Sequence, residues 1–394
     1  MKIVYCTPSL YLAGGVERVL TTKVNYLAET LGHDVTVVLT DGDGRSPYYP
    51  LSQRVNVVQL DLGFERMWNQ PLWRRVWIYL KGMRKYRKRL RSVLCEIRAD
   101  IVVTTLRREI NFLCDINDGS RKVGELHVTR SHYRNFEANE SNVFKRVIER
   151  IWSWQLVRKL KRLDALVVLT PNEIAYWPEL DNVHCIPNPL PWNISCERRM
   201  YDKGQGSVCT VGRYSYQKGI DLLLEAWTEV HRLHPNWRLD VYGSGERAPY
   251  EQQARELGLL TGDEAVDGGA ALRLYGADND IRSRYEEHDF YVLPSRFEGF
   301  GMVIIEAESC GLPVVAFDCP TGPRELIADG QTGLLVANGD VKALAEAICH
   351  LIEHPGERKK MGQAASEAAR PFVLESVMGK WLALFEKLND RCAE

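Results

Sequence analysis

Glu298 and Glu306 have the spacing Glu-x7-Glu within Leu293-Pro-Ser-Arg-Phe-Glu-Gly-Phe-Gly-Met-Val-Ile-Ile-Glu-Ala-Glu-Ser-Cys-Gly-Leu-Pro313. The apolar run Phe290–Leu293 reads as a buried strand, Pro294 to Gly301 as a turn, and Met302 to Ser309 as a short helix stopped by Gly311 and Pro313. Glu298 is then a loop residue and Glu306 a helix residue. In a parallel sheet that loop lies at the carboxyl edge, where open α/β folds bind ligands. The plain alternative is a surface helix with ordinary glutamates. However, no Lys or Arg lies between Met302 and Gly311, so Glu306 has no ion-pair partner at helical spacing. A carboxylate among Val303, Ile304, Ile305 and Ala307 is costly if buried and calls for a ligand or a cleft. Glu308 is expected to be the solvent-side acid of this helix.

Arg213 and Lys218 form a second candidate set, in Thr210-Val-Gly-Arg-Tyr-Ser-Tyr-Gln-Lys-Gly-Ile-Asp221. A strand end, a loop with two cations and the helix Ile220–Leu233 can bring a guanidinium, an ammonium and free N–H groups to one phosphate. The stretch is not a P-loop, because Gly-Lys-Ser/Thr is missing and the lysine precedes its glycine. Taken alone, both residues also read as surface cations. Glycine turns follow two further strands, Tyr242-Gly243-Ser244-Gly245 and Leu12-Ala13-Gly14-Gly15-Val16, but neither completes a dinucleotide fingerprint. Hydride transfer is therefore poorly supported.

The elements that must position these residues form two series. Strands are expected at Ile3–Cys6, Asp34–Leu39, Val55–Leu60, Ile101–Thr105 and Ala165–Leu169, with a helix over 16–31. A second series runs through Val208–Val211, Leu239–Tyr242, Leu272–Tyr275, Phe290–Leu293, Val314–Phe317 and Leu334–Val336. Alternation with helices predicts two doubly wound, Rossmann-like α/β domains. Prolines and glycines from Ile186-Pro-Asn-Pro-Leu-Pro191 to Gly206 mark the boundary, giving 1–190 and 191–373. A last helix, 374–389, with Val377, Trp381, Leu384, Phe385 and Leu388 on one face, is expected to return to the first domain.

The 394 residues suffice for two cores, and a net charge of -1 gives no global pull toward nucleic acid or membrane. Ten cysteines without Cys-x-x-Cys or Cys/His metal spacing read as reduced thiols, which fits the cytosol. The start reads as a strand rather than a signal peptide, and no stretch is long enough to span a membrane. Charge is concentrated locally in Trp73–Arg98, a basic helix with interleaved aromatic and aliphatic residues. Such a helix suits anionic lipid or a polyanionic acceptor, or is a solvated face whose basic stems cover apolar surface. Lys145–Arg162 is a weaker second example and reads as a solvated helix.

The setting Pro-Ser-x-x-Glu-Gly-Phe-Gly-x-x-x-x-Glu-Ala-x-x-x-Gly-x-Pro-Val-Val-Ala resembles that of glycosyltransferase family 4, retaining enzymes of GT-B fold. Val211-Gly-Arg213 with Lys218-Gly219, the Tyr242–Gly245 turn, Asn188 after Ile-Pro, Gly322 and Glu325, and Gly14-Gly15 match as well. The second half matches strongly and the first is divergent. The resemblance implies two domains facing each other across a cleft, the second holding a nucleotide-sugar donor and the first an acceptor.

It also implies roles. Arg213 and Lys218 would hold the donor pyrophosphate, with no metal needed. Glu306 would accept hydrogen bonds from the ribose diol. Glu298, with the N–H groups of Gly299, Phe300 and Gly301, would address the transferred sugar. Gly243 and Asn188 would line the donor site, Gly276-Ala-Asp278-Asn279 would border the base, and Gly14 and Gly15 would approach the β-phosphate. His127 would stand near the anomeric carbon, with His132 as competitor, and Arg107 and Arg108 are acceptor-side candidates. The implied reaction is front-face transfer of a hexose or N-acetylhexosamine from a UDP-sugar to a glycan or lipid-linked acceptor, as in bacterial surface polysaccharide assembly. The enzyme would be cytoplasmic, or peripheral at the inner membrane face, with no nucleic-acid partner and no cofactor beyond the sugar nucleotide. The alternatives are a nucleotide-sugar epimerase of similar fold and a sugar-nucleotide-binding protein without catalysis.

Overall fold

Strands rich in Val, Ile and Leu on both faces can only be satisfied inside a parallel sheet covered on both sides. The computed structural model describes residues 1–42, 44–67, 71–130, 143–194, 206–260 and 271–390 and places thirteen such strands in two sheets. The first sheet comprises β1 (Lys2–Thr7), β2 (Asp34–Leu39), β3 (Val55–Gln59), β4 (Ile101–Thr104), β5 (Arg121–Glu125), β6 (Ala165–Val168) and β7 (Val183–Cys185). Their order is β3-β2-β1-β4-β5-β6-β7, every pairing parallel. The second comprises β8 (Ser207–Val211), β9 (Arg238–Tyr242), β10 (Leu272–Tyr275), β11 (Phe290–Leu293), β12 (Val314–Asp318) and β13 (Gly333–Ala337). Their order, β10-β9-β8-β11-β12-β13, is again all parallel. The central strands β4, β6 and β11 are buried throughout, whereas the edge strands β3 and β13 are partly exposed.

The chain divides into two compact units, Met1–Pro191 with Leu374–Glu394, and Trp192–Val373. The C-terminal helix Leu374–Asp390 belongs to the first unit, as its apolar face predicts. Val377, Met378, Trp381, Leu384, Phe385 and Leu388 join the core built on β1, β2 and the helix Gly15–Glu29. Arg121 at the start of β5 donates from Nε to the Leu388 carbonyl at 3.1 Å.

Every expected strand of the second series is present, as are five of the first. The strand series omitted β5 and β7. The reason is chemical: Arg-Lys-Val-Gly-Glu carries three charges and lacks apolar periodicity, yet it lies between β4 and β6. Its charges are all paired, Lys122 with nearby Asp118, and Arg121 with Asp164 at 3.1 Å and Glu125 with Lys23 at 2.7 Å from more distant parts of the chain. No helix of the described residues is long and apolar enough to cross a membrane.

Glu308 does not face solvent. The helix Met302–Ser309 is packed by β11 and β12 on one side and by the helix Pro355–Ala368 on another, which leaves Glu308 0% exposed. Neither carboxylate oxygen makes a hydrogen bond of ordinary geometry among the described residues. Burial, only partly offset by the nearby Thr332 hydroxyl, raises its pKa from 4.5 to about 8. The raised value means that the folded protein holds a proton the unfolded chain releases. Its contribution to stability is therefore complete below about pH 4.5 and is lost as pH rises toward about 8. Glu308→Gln should remove a slope of about 1.4 kcal/mol per pH unit in that window. Denaturant titrations at pH 5 and pH 8 (~3 units apart) should show the variant gaining on the native protein at the higher pH.

Candidate functional site

In the second sheet the strand order reverses between β8 and β11, and the loops leaving their carboxyl ends border the crevice that such a switch point creates. The β8 loop carries Arg213 and Lys218; the β11 loop carries Glu298. They meet: Lys218 Nζ donates to Glu298 Oε1 at 2.7 Å, and Ser295 Oγ donates to the same oxygen at 2.6 Å. The two charged side chains are 15% and 7% exposed, so their attraction is little screened by solvent.

The loops are clamped to each other independently of that pair. The Arg296 N–H donates to the Gln217 carbonyl at 2.9 Å, and Gln217 Nε2 donates to the Phe297 carbonyl at 3.1 Å. The Arg296 guanidinium makes a bidentate pair with Asp221 at 2.8 and 2.6 Å and lies over the Tyr216 ring. Gly219 permits the contact. Its φ is +61°, and an added Cβ would stand 1.9 Å from the Pro294 carbonyl oxygen. Arg213 is exposed and has no ion-pair partner among the described residues.

A second layer holds Glu298, itself 6% exposed, from below. Thr321, a β-branched residue at φ 59°, donates its hydroxyl to the Glu298 carbonyl. Gly322 follows in close contact with the Phe300 carbonyl, and the Phe300 ring packs edge-on against Phe372. Gly299 and Phe300 lead into Gly301, which precedes the helix at φ 91°. One turn on, Glu306 is 2% exposed and accepts from the Tyr285 hydroxyl at 3.1 Å. The β9 turn crosses closely over the β8 loop: a Cβ on Gly243 would be 1.8 Å from the Gly212 carbonyl oxygen. Asp278 is engaged by Arg284 at 2.7 Å and by the Asp280 N–H at 2.9 Å, and the Arg284 bond holds its carboxyl below the usual range.

In the first unit, Gly14 and Gly15 open the helix Gly15–Glu29, and a Cβ on Gly15 would meet nothing of the protein within 4 Å. Arg107 is exposed after β4, next to Leu106 at φ 55°. Arg108 lies over the Phe64 ring and 4.0 Å from Asp41. His127 follows β5 with its Nε2 3.5 Å from Glu125 Oε1. Asn188 is 5% exposed, and its Oδ1 has no hydrogen-bond partner among the described residues. His132 lies outside the described residues.

Two parallel sheets, with charged loops meeting at the switch point of the second, make a two-domain α/β protein, and similarity to known glycosyltransferases gives its fold class as GT-B. Residues 198–368 match the family "Glycosyl transferases group 1", and residues 13–191 match "Glycosyltransferase Family 4". The chain belongs to this glycosyltransferase family. An uncharacterized glycosyltransferase of Haemophilus influenzae is 26% identical over 96% of this chain and 98% of its own. The amylovoran biosynthesis glycosyltransferase AmsD of Erwinia amylovora is 31% identical over 57% of this chain and 64% of its own. Among solved structures, an S. aureus TarM mutant in complex with fondaparinux, α-GlcNAc-glycerol and UDP shares the fold. Its TM-score is 0.77 at 16% identity, covering 98% of this chain and 100% of that one.

Sequence reasoning missed the partners. Ser295 stands inside the motif, three residues before Glu298, and that spacing was its available signal. Tyr285, Thr321 and Lys23 reach their acids from distant elements and gave none.

Gly219→Ala tests the clamp, since it adds both strain at positive φ and a clash with Pro294. It should cost on the order of 3 kcal/mol or more, read as a lowered denaturant midpoint. An unchanged midpoint would show that the two loops do not depend on this contact.

Proposed function

We propose that this protein is a retaining, metal-independent transferase that moves a hexose or N-acetylhexosamine from a UDP-sugar to a glycan or lipid-linked acceptor in bacterial surface polysaccharide assembly. The observation that carries the reading is the Lys218–Glu298 contact at the switch point between β8 and β11. A cation for phosphate and a carboxylate for sugar hydroxyls stand within one hydrogen bond of each other. The phosphorus–oxygen–carbon linkage of a sugar nucleotide has the same juxtaposition.

Arg213 and Lys218 hold the pyrophosphate and stabilise charge on the β-phosphate as the anomeric carbon–oxygen bond breaks. The acceptor hydroxyl oxygen bonds to that carbon on the face the phosphate leaves, and its proton passes to the departing phosphate oxygen. The glutamates therefore act as binding groups, not as the acid and nucleophile of a glycosidase. Glu298 and the N–H groups of Gly299, Phe300 and Gly301 hold the sugar. Glu306, pre-set by Tyr285, accepts from the ribose diol, and Gly243, Asp278 and Asn188 border the donor. Gly14 and Gly15 let backbone approach the phosphates, and His127 serves beside the anomeric carbon. Relatives support the donor class: one is named UDP-N-acetylglucosamine--peptide N-acetylglucosaminyltransferase and another poly(ribitol-phosphate) alpha-N-acetylglucosaminyltransferase.

Glu306→Ala should weaken binding of UDP itself in calorimetry, and Lys218→Ala should lower turnover by roughly two to three orders of magnitude. Unchanged UDP affinity would sink the ribose assignment. A panel of nucleotide sugars assayed with and without acceptor separates the alternatives. Transfer consumes the acceptor, an epimerase converts the donor alone, and a binding protein does neither.

The same reading puts the enzyme in the cytoplasm at the inner membrane face, through the helix Leu72–Ile97. One face buries Tyr86, Leu90 and Leu94 in the core. At ~100° per residue, positions 73, 77, 80, 84, 88 and 91 share a second face, centred roughly 120° round the helix from the first. There Trp73, Trp77 and Leu80 are 69%, 60% and 55% exposed, and Arg84, Lys88 and Arg91 continue the stripe. An aromatic end and a basic end on one solvent face suit an interface with anionic lipid. Arg84→Glu with Lys88→Glu and Arg91→Glu should abolish co-sedimentation with phosphatidylglycerol vesicles. Equal sedimentation of the variant rejects the contact.

A further inference from the structure

The first unit buries a charged cluster to which the reaction above assigns no role. Lys23, from the helix Gly15–Glu29, donates from Nζ to both oxygens of Glu125 at 2.7 Å, and the two side chains are 1% and 2% exposed. Trp381 of the C-terminal helix covers the ammonium at 3.9 Å from its ring centroid, and the Tyr5 ring lies at 5.5 Å. Apolar side chains of similar volume would bridge these elements with no desolvation cost, so stability alone does not explain the pair. Its remaining neighbour does. His127 is 7% exposed, and its Nε2 is 3.5 Å from Glu125 Oε1 with no hydrogen-bond partner among the described residues.

We propose that Glu125, clamped by Lys23, is a positioning residue that holds His127 as a neutral imidazole with its proton on Nε2, leaving the Nδ1 lone pair to accept from a hydroxyl of the transferred sugar. This rests on the reading that His127 works beside the anomeric carbon. At 3.5 Å a bare Nε2 lone pair facing a carboxylate oxygen is repelled, whereas an N–H there is attracted. Lys23 keeps the carboxylate ionised and fixes its orientation. Burial would raise the Glu125 pKa, but the Lys23 charge overrides it and keeps the carboxyl below the usual range. Burial also lowers the His127 pKa, which favours the neutral ring. The C-terminal helix thus completes the arrangement by covering Lys23.

The test uses the full chain, uniformly labelled with nitrogen-15. Long-range nitrogen–proton correlation, with His127 assigned by its loss in His127→Asn, should show a single Nε2-protonated ring. In Glu125→Gln and in the uncharged double variant Lys23→Met/Glu125→Leu it should show mixed tautomers. Turnover should fall roughly tenfold in either variant with the donor KM within about twofold, and should fall no further in a His127→Asn background. A tautomer pattern unchanged by these substitutions, or an equal loss in both backgrounds, overturns the proposal. Failure of both variants to fold assigns the pair to holding the fold and overturns it as well. If His127→Asn alone leaves turnover intact, the catalytic reading of His127 falls, while the tautomer measurement still decides what Glu125 does to the ring.

Discussion

The contact between Lys218 and Glu298 depends on two loops being forced to one point, and much of the second unit serves that constraint. It exists because β8 and β11 are neighbours, which brings together two residues eighty positions apart in the chain. Gly219 lets the first loop touch the Pro294 carbonyl, and the Arg296–Asp221 pair holds the loops together. Thr321 and Gly322 press the turn after β12 against the Glu298 backbone. A buried pair of this kind is a modest source of net stability, because desolvation offsets much of the Coulomb gain. Its value is positional: two opposite charges, 15% and 7% exposed, are held side by side at the switch point of the sheet.

Buried carboxylates elsewhere are satisfied in different ways, and the differences follow from what packs against them. Glu125 meets an ammonium. Glu109 accepts from the Thr104 and Tyr86 hydroxyls and the Arg107 N–H, which anchors the turn after β4. Glu306 receives the Tyr285 hydroxyl. Glu308 meets no strong donor, and burial raises its pKa to about 8. On one short helix, two acids two residues apart therefore behave oppositely. Glu306 is set as an acceptor, and Glu308 holds a proton inside the fold.

The sequence by itself determined eleven of the thirteen strands, because apolar runs such as those of β1, β4, β8 and β11 can be satisfied only in covered parallel sheets. It also determined the C-terminal helix, through one apolar face, and the residues of the Glu-x7-Glu and Arg213/Lys218 motifs, through local spacing. Only the tertiary structure decided what those residues touch. Strand order, which no local pattern encodes, brought Lys218 to Glu298 and Lys23 to Glu125. A helix packed from a distant part of the chain buried Glu308, although its helical position had suggested solvent. Periodicity reports which face is apolar, whereas the partner of a charge is set by contacts between elements far apart in the chain.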